Sequence, residues 1–227
     1  MKSRKYAVIG TGKTGSFVEE ILGSKAVTFD ESHPPTLSSL SETDIAIIFV
    51  PGSAAGEVLE TVLESGIPAV WGTTGYEWPQ GLDKRLTERN LTWVTGSNFS
   101  IGMNLVRKSI EILGRGSSIL KDPQFHIHEI HHSGKQDAPS GTALSWREWL
   151  GQKCEITAER TGDVKGIHTL HLKTPSESIW LEHEAHSRKV FAEGAVWCAD
   201  YLLDCKEPAP GFHTFPELFD RAFSNLL

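Results

Sequence analysis

The sequence predicts an α/β protein whose first half is a doubly wound parallel sheet. Two observations lead there. Short apolar runs alternate with helical patterns through the first hundred residues, the rhythm of strand–helix–strand units. A glycine-rich turn, Gly10 to Gly15, follows the first apolar run and opens the first helix. Beyond residue 100 the rhythm changes, which marks a second region.

Tyr6–Ile9 reads as the first strand. Lys13–Leu22 reads as a helix, with Thr14, Phe17, Val18, Ile21 and Leu22 on one stripe. Ala26–Phe29 is a second strand. Ile45–Val50 is a third, apolar throughout, as befits a parallel strand covered on both faces. Ala55–Glu64 is a helix with Val58, Leu59, Val62 and Leu63 inward. Pro68–Trp71 and Leu91–Val94 are strands, separated by a helix at Leu82–Arg89. A helix at Met103–Leu113 opens the second region. Phe125 to His132 then alternates like a strand, and Ser133 to Thr142 is a loop that runs into a helix near Ser140. Ile167–Leu172 and Ser178–His186 read as strands, and Phe191–Leu203 as a helix.

Composition narrows the function. The chain has 227 residues, 39% hydrophobic and 22% charged, which excludes a wholly disordered chain and a coiled coil. The apolar run at 45–50 is far short of the roughly 20 residues a membrane helix needs. Tyr6–Ile9 is too short for the core of a signal peptide, despite the basic residues before it. Lys and Arg number 22 against 29 Asp and Glu, a net charge of -7 with no basic run. Nucleic acid and membrane are therefore not expected partners. Cys154, Cys198 and Cys205 form no CxxC pair, so a reducing, cytoplasmic setting fits better than a disulfide framework.

The motif Gly10, Thr11, Gly12, Lys13, Thr14, Gly15 follows a strand, opens a helix, and is completed by Asp30 after the second strand. That context makes it a dinucleotide fingerprint. Gly10 makes the tight turn, Gly12 admits the pyrophosphate to the backbone, and Gly15 lets the helix approach the sheet. The free N–H groups at the helix start hold the phosphates, and Asp30 accepts from the ribose hydroxyls. The run Gly12, Lys13, Thr14 lacks the four-residue spacer of a P-loop. Gly72, Thr73 and Thr74, after another strand, are candidates for ribose or nicotinamide contact; they also read as a bare structural turn.

Four of the ten histidines fall between 126 and 132. Three readings stand. His126, His128 and His132 share one strand face and have the spacing of metal ligands. The cluster is also readable as structural. In the third reading, His131, His132 and Lys135 lie just before a helix start carrying Ser140, Gly141 and Thr142. Cations and free N–H groups would then surround one spot suited to a carboxylate and a proton.

At these residues the chain resembles the dihydrodipicolinate reductase (4-hydroxy-tetrahydrodipicolinate reductase) family. The matching blocks are Gly10–Gly15, Val70 to Gly75, Ser97 to Asn104 and, most specific, Glu129 to Ala143. Arg160–Thr169 and Ser187–Ala195 match as well. The resemblance implies a Rossmann-like domain at 1–100 and 206–227, and a smaller α+β domain for substrate binding and tetramerisation at 101–205. It implies a cytoplasmic homotetramer that reduces 4-hydroxy-tetrahydrodipicolinate with NADH or NADPH, in diaminopimelate and lysine biosynthesis. By position, His131 and Lys135 match the proton donors. His132, Lys135, Gly141 and Thr142 match the substrate contacts. Gly10 to Gly15, Asp30, Gly72, Thr73, Thr74, Gly96, Ser97, Asn98 and Phe99 match the cofactor contacts. No metal is expected.

Two other functions compete: a regulator that binds NAD(H) without turnover, and an aspartate-type amino-acid dehydrogenase. Residues His131, Lys135 and Thr142 favour the reductase. Asp30 and Glu31, with no Arg or Lys between Lys25 and Lys84, favour NADH over the extra phosphate of NADPH. Lys13 is the one nearby cation in sequence, and keeps NADPH usable.

Overall fold

The computed structural model describes residues 4–205 and 208–226. Residues 1–3, 206, 207 and 227, all within the segments expected to form the dinucleotide domain, lie outside the described residues. The chain divides into two units. One comprises the residues up to Ser100 together with those from Arg188 onward; the other is Ile101–Ser187.

The first unit begins with β1 (Tyr6–Ile9), α1 (Gly15–Leu22), β2 (Ala26–Phe29), α2 (Leu37–Leu40) and β3 (Ile45–Ile48). It continues with α3 (Ala55–Ser65), β4 (Ala69–Trp71), α4 (Leu82–Glu88) and β5 (Thr92–Thr95). The second unit holds α5 (Ile101–Gly116), β6 (Gln124–His131), α6 (Gly141–Leu150), β7 (Cys154–Arg160), β8 (Ile167–Lys173) and β9 (Ser178–Glu184). The chain then returns to the first unit as α7 (Lys189–Asp204), β10 (Gly211–Thr214) and α8 (Phe215–Ser224).

The first unit is a six-stranded sheet in the order β10-β5-β4-β3-β1-β2. Every pairing in it is parallel. Strands β1, β3 and β4 are wholly buried, as continuous apolar runs require when helices cover both faces. Ile9, Ile48, Leu59, Trp71 and Trp93 lie in this core. The chain steps from β1 outward to β2 and then crosses to β3 on the other side. The switch point between β1 and β3 is where a doubly wound sheet binds its ligand.

The second unit is a mixed sheet in the order β7-β6-β8-β9. β6 pairs parallel with β7 and antiparallel with β8, and β8 pairs antiparallel with β9. Register separates its faces. Ile127, Leu170, Leu181 and Ile156 share one face and pack with Met103, Ile110, Trp146 and Leu150 of α5 and α6. The two helices meet at a glycine: a Cβ on Gly114 would lie 2.0 Å from the Leu150 carbonyl oxygen. The opposite face carries His126, His128, His171 and Trp180.

Three differences from the sequence reading have physical causes. Helix α7 belongs to the first unit, so the boundary falls after Ser187 and not at 205. Its inward residues are small, with Ala192, Ala195 and Ala199 buried, and a Cβ on Gly194 would lie 1.7 Å from the Phe99 carbonyl oxygen. That close fit holds it against its own unit, where it packs on α1 and β3. Strand β6 ends at His131, which leaves His132 in the following loop. Elements α2, β7, β10 and α8 are additional to the expected set.

Candidate functional site

Loops leave the carboxyl ends of β1, β3 and β4 side by side. The Gly10 N–H donates to the Phe29 carbonyl, the Phe49 N–H to that of Ile9, and the Gly72 N–H to that of Ile48, each at 2.8 Å. A cleft of about 1140 Å³ lies over these loops, and Gly10, Thr11, Gly12, Lys13, Thr14, Asp30, Gly72 and Thr74 line it. The glycines act differently. Gly10 has φ +92°, and a Cβ there would sit 2.4 Å from the Phe49 carbonyl oxygen. A Cβ on Gly15 would sit 1.7 Å from the Gly10 carbonyl oxygen. A Cβ on Gly12 would meet nothing within 4 Å; it would project into open space.

These residues fit a dinucleotide. Gly12 leaves bare backbone for a pyrophosphate. Helix α1 starts with no acidic residue in its first turn and no side-chain cap from Thr14, so its positive end is not already neutralised. Thr73 is buried next to the lining residues, and its Oγ1 has no hydrogen-bond partner among the described residues. Such an orphan hydroxyl suits a ligand. Asp30 Oδ1 accepts from the Ser32 hydroxyl at 2.7 Å and from the Ser32 and His33 N–H groups at 2.9 Å. Led by the Ser32 hydroxyl, these bonds hold its pKa below the usual carboxylate value, so Asp30 stays ionised. Gly96, Ser97, Asn98 and Phe99 do not line this cleft. Phe99 is buried, with its ring against Phe49 and Phe215, and Asn98 Oδ1 accepts from the Ser100 N–H at 2.9 Å. Phe99 backs Phe49, which does line the cleft.

The second unit gathers a different kind of site. Glu129 on β6 is fully buried. Its Oε1 accepts from the Ser140 N–H at 2.8 Å and from the Arg160 guanidinium at 2.9 Å. Its Oε2 lies 3.4 Å from His131 Nε2 and 3.5 Å from His168 Nε2, yet neither contact is a well-formed hydrogen bond. The two Nε2 atoms are 3.3 Å apart, and His168 Nε2 is 3.2 Å from Ser140 Oγ. Strand register builds this cluster: Glu129 stands opposite His168, and His131 beside Arg160.

Burial and bonding set the charges. Burial pushes the Glu129 pKa up, but the Ser140 and Arg160 bonds outweigh it and hold the carboxyl low. Burial lowers His131, and the cations Lys135 and Arg160 add to the fall against the opposing pull of Glu129. Burial, then the facing His131, push His168 down to about 4. The cluster at neutral pH is thus one carboxylate, one guanidinium and two neutral imidazoles. Glu129, His131 and His168 offer three ligand atoms within 4.8 Å of one another. The Arg160 charge already spent on the carboxylate opposes a dication there, and the group reads as a proton network.

Lys135 and the start of α6 adjoin it. Lys135 Nζ donates to both Asp137 oxygens, at 2.7 and 2.8 Å, and Arg160 also bonds the Asp137 carbonyl. Ser140 caps α6, its hydroxyl accepting from the Ala143 N–H. No acid occupies the first turn of α6, and a Cβ on Gly141 would meet nothing within 4 Å. Thr142 is half-buried beside it and His132 is exposed. The metal grouping of His126, His128 and His132 does not form. His126 Nε2 and His128 Nδ1 share Thr157 Oγ1, at 2.9 and 2.8 Å, and His132 lies beyond the strand end.

Glu129, His168, Arg160 and Asp137 are site components that the sequence reading did not single out. For Glu129 the signal was alternation: it and His131 are polar residues on the strand face that carries Phe125 and Ile127.

A parallel sheet with a glycine-lined cleft at its switch point, joined to a unit bearing a buried acid–base cluster, defines a Rossmann-type oxidoreductase. Residues 102–218 match the family described as dihydrodipicolinate reductase, C-terminus. The chain is 41% identical over 227 residues to the 4-hydroxy-tetrahydrodipicolinate reductase of Thermosipho africanus (strain TCF52B), covering 96% of this chain and 99% of that one. It is 32% identical over 199 residues to the enzyme of the same name from Alkaliphilus oremlandii (strain OhILAs), covering 78% and 80%. The chain belongs to the 4-hydroxy-tetrahydrodipicolinate reductase family, whose members are pyridine-nucleotide-dependent reductases. Its fold is similar to that of a dipicolinate-bound dihydrodipicolinate reductase from Paenisporosarcina sp. TG-14, with a TM-score of 0.74 over 95% of this chain and 99% of that one, at 15% identity.

Proposed function

We propose that this protein reduces 4-hydroxy-tetrahydrodipicolinate to tetrahydrodipicolinate with loss of water, with NADH preferred over NADPH, in diaminopimelate and lysine biosynthesis. The observation that carries the reading is the convergence of Glu129, His131, His168 and Arg160 beside Lys135 and the bare start of α6. A regulator that only bound a nucleotide would have no use for a buried, fully ionised carboxylate between two imidazoles.

After the 4-hydroxyl has left as water, a bound reduced nicotinamide would supply a hydride to the conjugated carbon of the resulting imine. The chain's own residues do the rest. The N–H groups of Gly141 and Thr142, the Thr142 hydroxyl and the positive end of α6 bind one substrate carboxylate. His132 adds a donor at the same loop. Lys135 is a cation that attracts the dianion and gives a proton to the nitrogen side as negative charge develops there. Its ion pair with Asp137 holds the side chain in place until the substrate arrives. His131 takes up and passes on a proton beside Lys135. In the first unit, Gly10 to Gly15 and Thr73 hold the cofactor, and Asp30 accepts from the ribose hydroxyls.

Assembly as a homotetramer follows from the family resemblance. The sheet face bearing His171 and Trp180, stacked at 3.7 Å with Trp180 65% exposed, supports it as a contact surface. Three free thiols suit a cytoplasmic setting. The test of the activity is loss of NADH absorbance when the unstable substrate is generated in place by a coupled synthesis. Substrate-independent binding of NADH with no oxidation would refute the reading.

A further inference from the structure

The buried carboxylate faces two imidazoles, and the chemistry above uses only one. His168 stands across the ladder from Glu129, is 4% exposed, and lies against Trp146 with ring centroids 5.6 Å apart. We propose that His168 is a positioning residue that donates its Nε2 proton to His131 Nε2. His131 is thereby held in the tautomer protonated at Nδ1, with Nε2 and the adjacent Glu129 Oε2 as the place where the working proton is stored. The inference rests on the reading of His131 as a proton carrier.

Four observations converge on it. Only one hydrogen fits between two imidazole nitrogens 3.3 Å apart, so one ring must offer a lone pair. His131 offers it: Gly166 lies along the Cε1–Nδ1 edge of that ring, where a Cβ would come within 2.9 Å of Cε1 and 3.3 Å of Nδ1, which leaves Nε2 facing the pair, and the more deeply buried His168 is the weaker base. The proton of neutral His131 therefore sits at Nδ1. His168 stays neutral at neutral pH, held down at about 4 by burial and by His131, so it carries one N–H, which at Nε2 reaches His131 Nε2 at 3.3 Å and Ser140 Oγ at 3.2 Å. Last, Glu129 Oε2 is buried with no well-formed hydrogen bond among the described residues. That deficit is relieved once His131 gains a proton at Nε2, 3.4 Å away.

Other charges surround the pair. Arg160 on β7 and Lys135 on the loop oppose a second cation, Asp137 is bound up with Lys135, and His183 on β9 adds to the lowering of His168. Helix α6 contributes Ser140 and Trp146, neither of which titrates here. His168 acts by competing for His131. Without it, Glu129 faces His131 alone and holds its proton more tightly.

The test uses His168→Leu and His168→Gln in the full-length enzyme. Gln keeps an N–H donor at similar reach. In His168→Leu, the basic limb of the kcat–pH profile moves up by about one unit, with KM for NADH unchanged; in His168→Gln, the limb stays in place. Nitrogen NMR of ring-labelled histidine reads the tautomer directly: His131 protonated at Nδ1 in the wild type and in His168→Gln, and at Nε2 in His168→Leu. A limb and tautomer unmoved in His168→Leu overturn the proposal. So does a wild-type His131 protonated at Nε2, whether or not the Leu variant folds. Full activity in His131→Gln instead refutes the proton-carrier reading itself, while the tautomer measurement still judges His168 separately.

Discussion

In the first unit, the ligand-facing surface is backbone. Gly10, Gly12 and Gly15 matter for what they lack, and Asp30, the acid that completes the motif at the rim, is exposed. In the second unit, the working surface is side chains. Glu129, His131, His168 and Arg160 come from three strands and are placed by register. A surface of bare backbone is specified by a few consecutive residues, and a substitution there harms binding before it harms folding. A surface of paired, buried charges is specified by residues up to 39 positions apart, and a substitution there harms both.

Four measurements break or sharpen that contrast. The largest effect is expected at Lys135. Lys135→Ala lowers kcat by about 10²–10⁴-fold, the usual loss of a general acid, while NADH binding and the unfolding midpoint hold. Activity within a few-fold of wild type would remove Lys135 from the chemistry. Next is Glu129→Ala, which strands the Arg160 guanidinium and the Ser140 N–H. It costs about 3 kcal/mol of stability in urea unfolding, along with activity; an unchanged midpoint would show that the cluster is not held by its carboxylate.

Gly12→Ala tests the other half. Its added methyl touches no protein atom, so stability changes by less than about 0.5 kcal/mol, while KM for NADH rises. Equal losses in both would mean that the cleft is not built on free backbone. The smallest effect is electrostatic. Asp30→Ala reduces the ratio of kcat/KM for NADH over NADPH by a modest factor, because the residue is exposed and screened. A wild-type preference for NADPH would defeat that argument.

Acid adds a test of the buried imidazoles. His168 is lowered from 6.5 to about 4 on folding, so the unfolded chain takes up its proton first as pH falls. Its contribution to stability is present above pH 6.5 and is lost as pH falls towards 4. The urea midpoint of the wild type should decline across that window, more steeply than that of His168→Gln. Parallel declines would place the titrating group elsewhere.

The same contrast governs what could be read from the sequence. The parallel sheet and the glycine cleft were legible because their signals are local: an apolar run, a turn, a helix start, an acid 20 residues on. His131 and Lys135 were read as acid–base candidates from their place before a helix start, and the resemblance gave them roles, but the residues that support them were not read. Arg160 ends β7, whose Cys154 to Arg160 segment alternates Cys154, Ile156 and Ala158 with Glu155, Thr157 and Glu159, a period-two signal that the sequence reading passed over. With that strand unseen, the partner of Glu129 was unseen. His168 lay in an expected strand, but only pairing with β6 brings it to Glu129. Helix α7 was recognised and assigned to the wrong unit, because its allegiance depends on the contact of Gly194 with Phe99, 95 positions earlier. Helix α8 did carry a legible signal, a capping box from Thr214 to Glu217 with a proline in its first turn.

The second unit is one unbroken stretch, Ile101–Ser187, inserted into a first unit whose two parts flank it. This orders events on the ribosome. All of β6 to β9 has been made before α7 and β10 exist, so the insert is complete in sequence while its host is not. Until Gly211–Thr214 emerges, β5 has an open edge at the position β10 will take. Domains form as units as the chain is made, so here the later-begun unit is the earlier one able to finish. A newly made chain therefore carries a folded insert and an unfinished nucleotide domain, and chaperone demand falls on the unit that was started first.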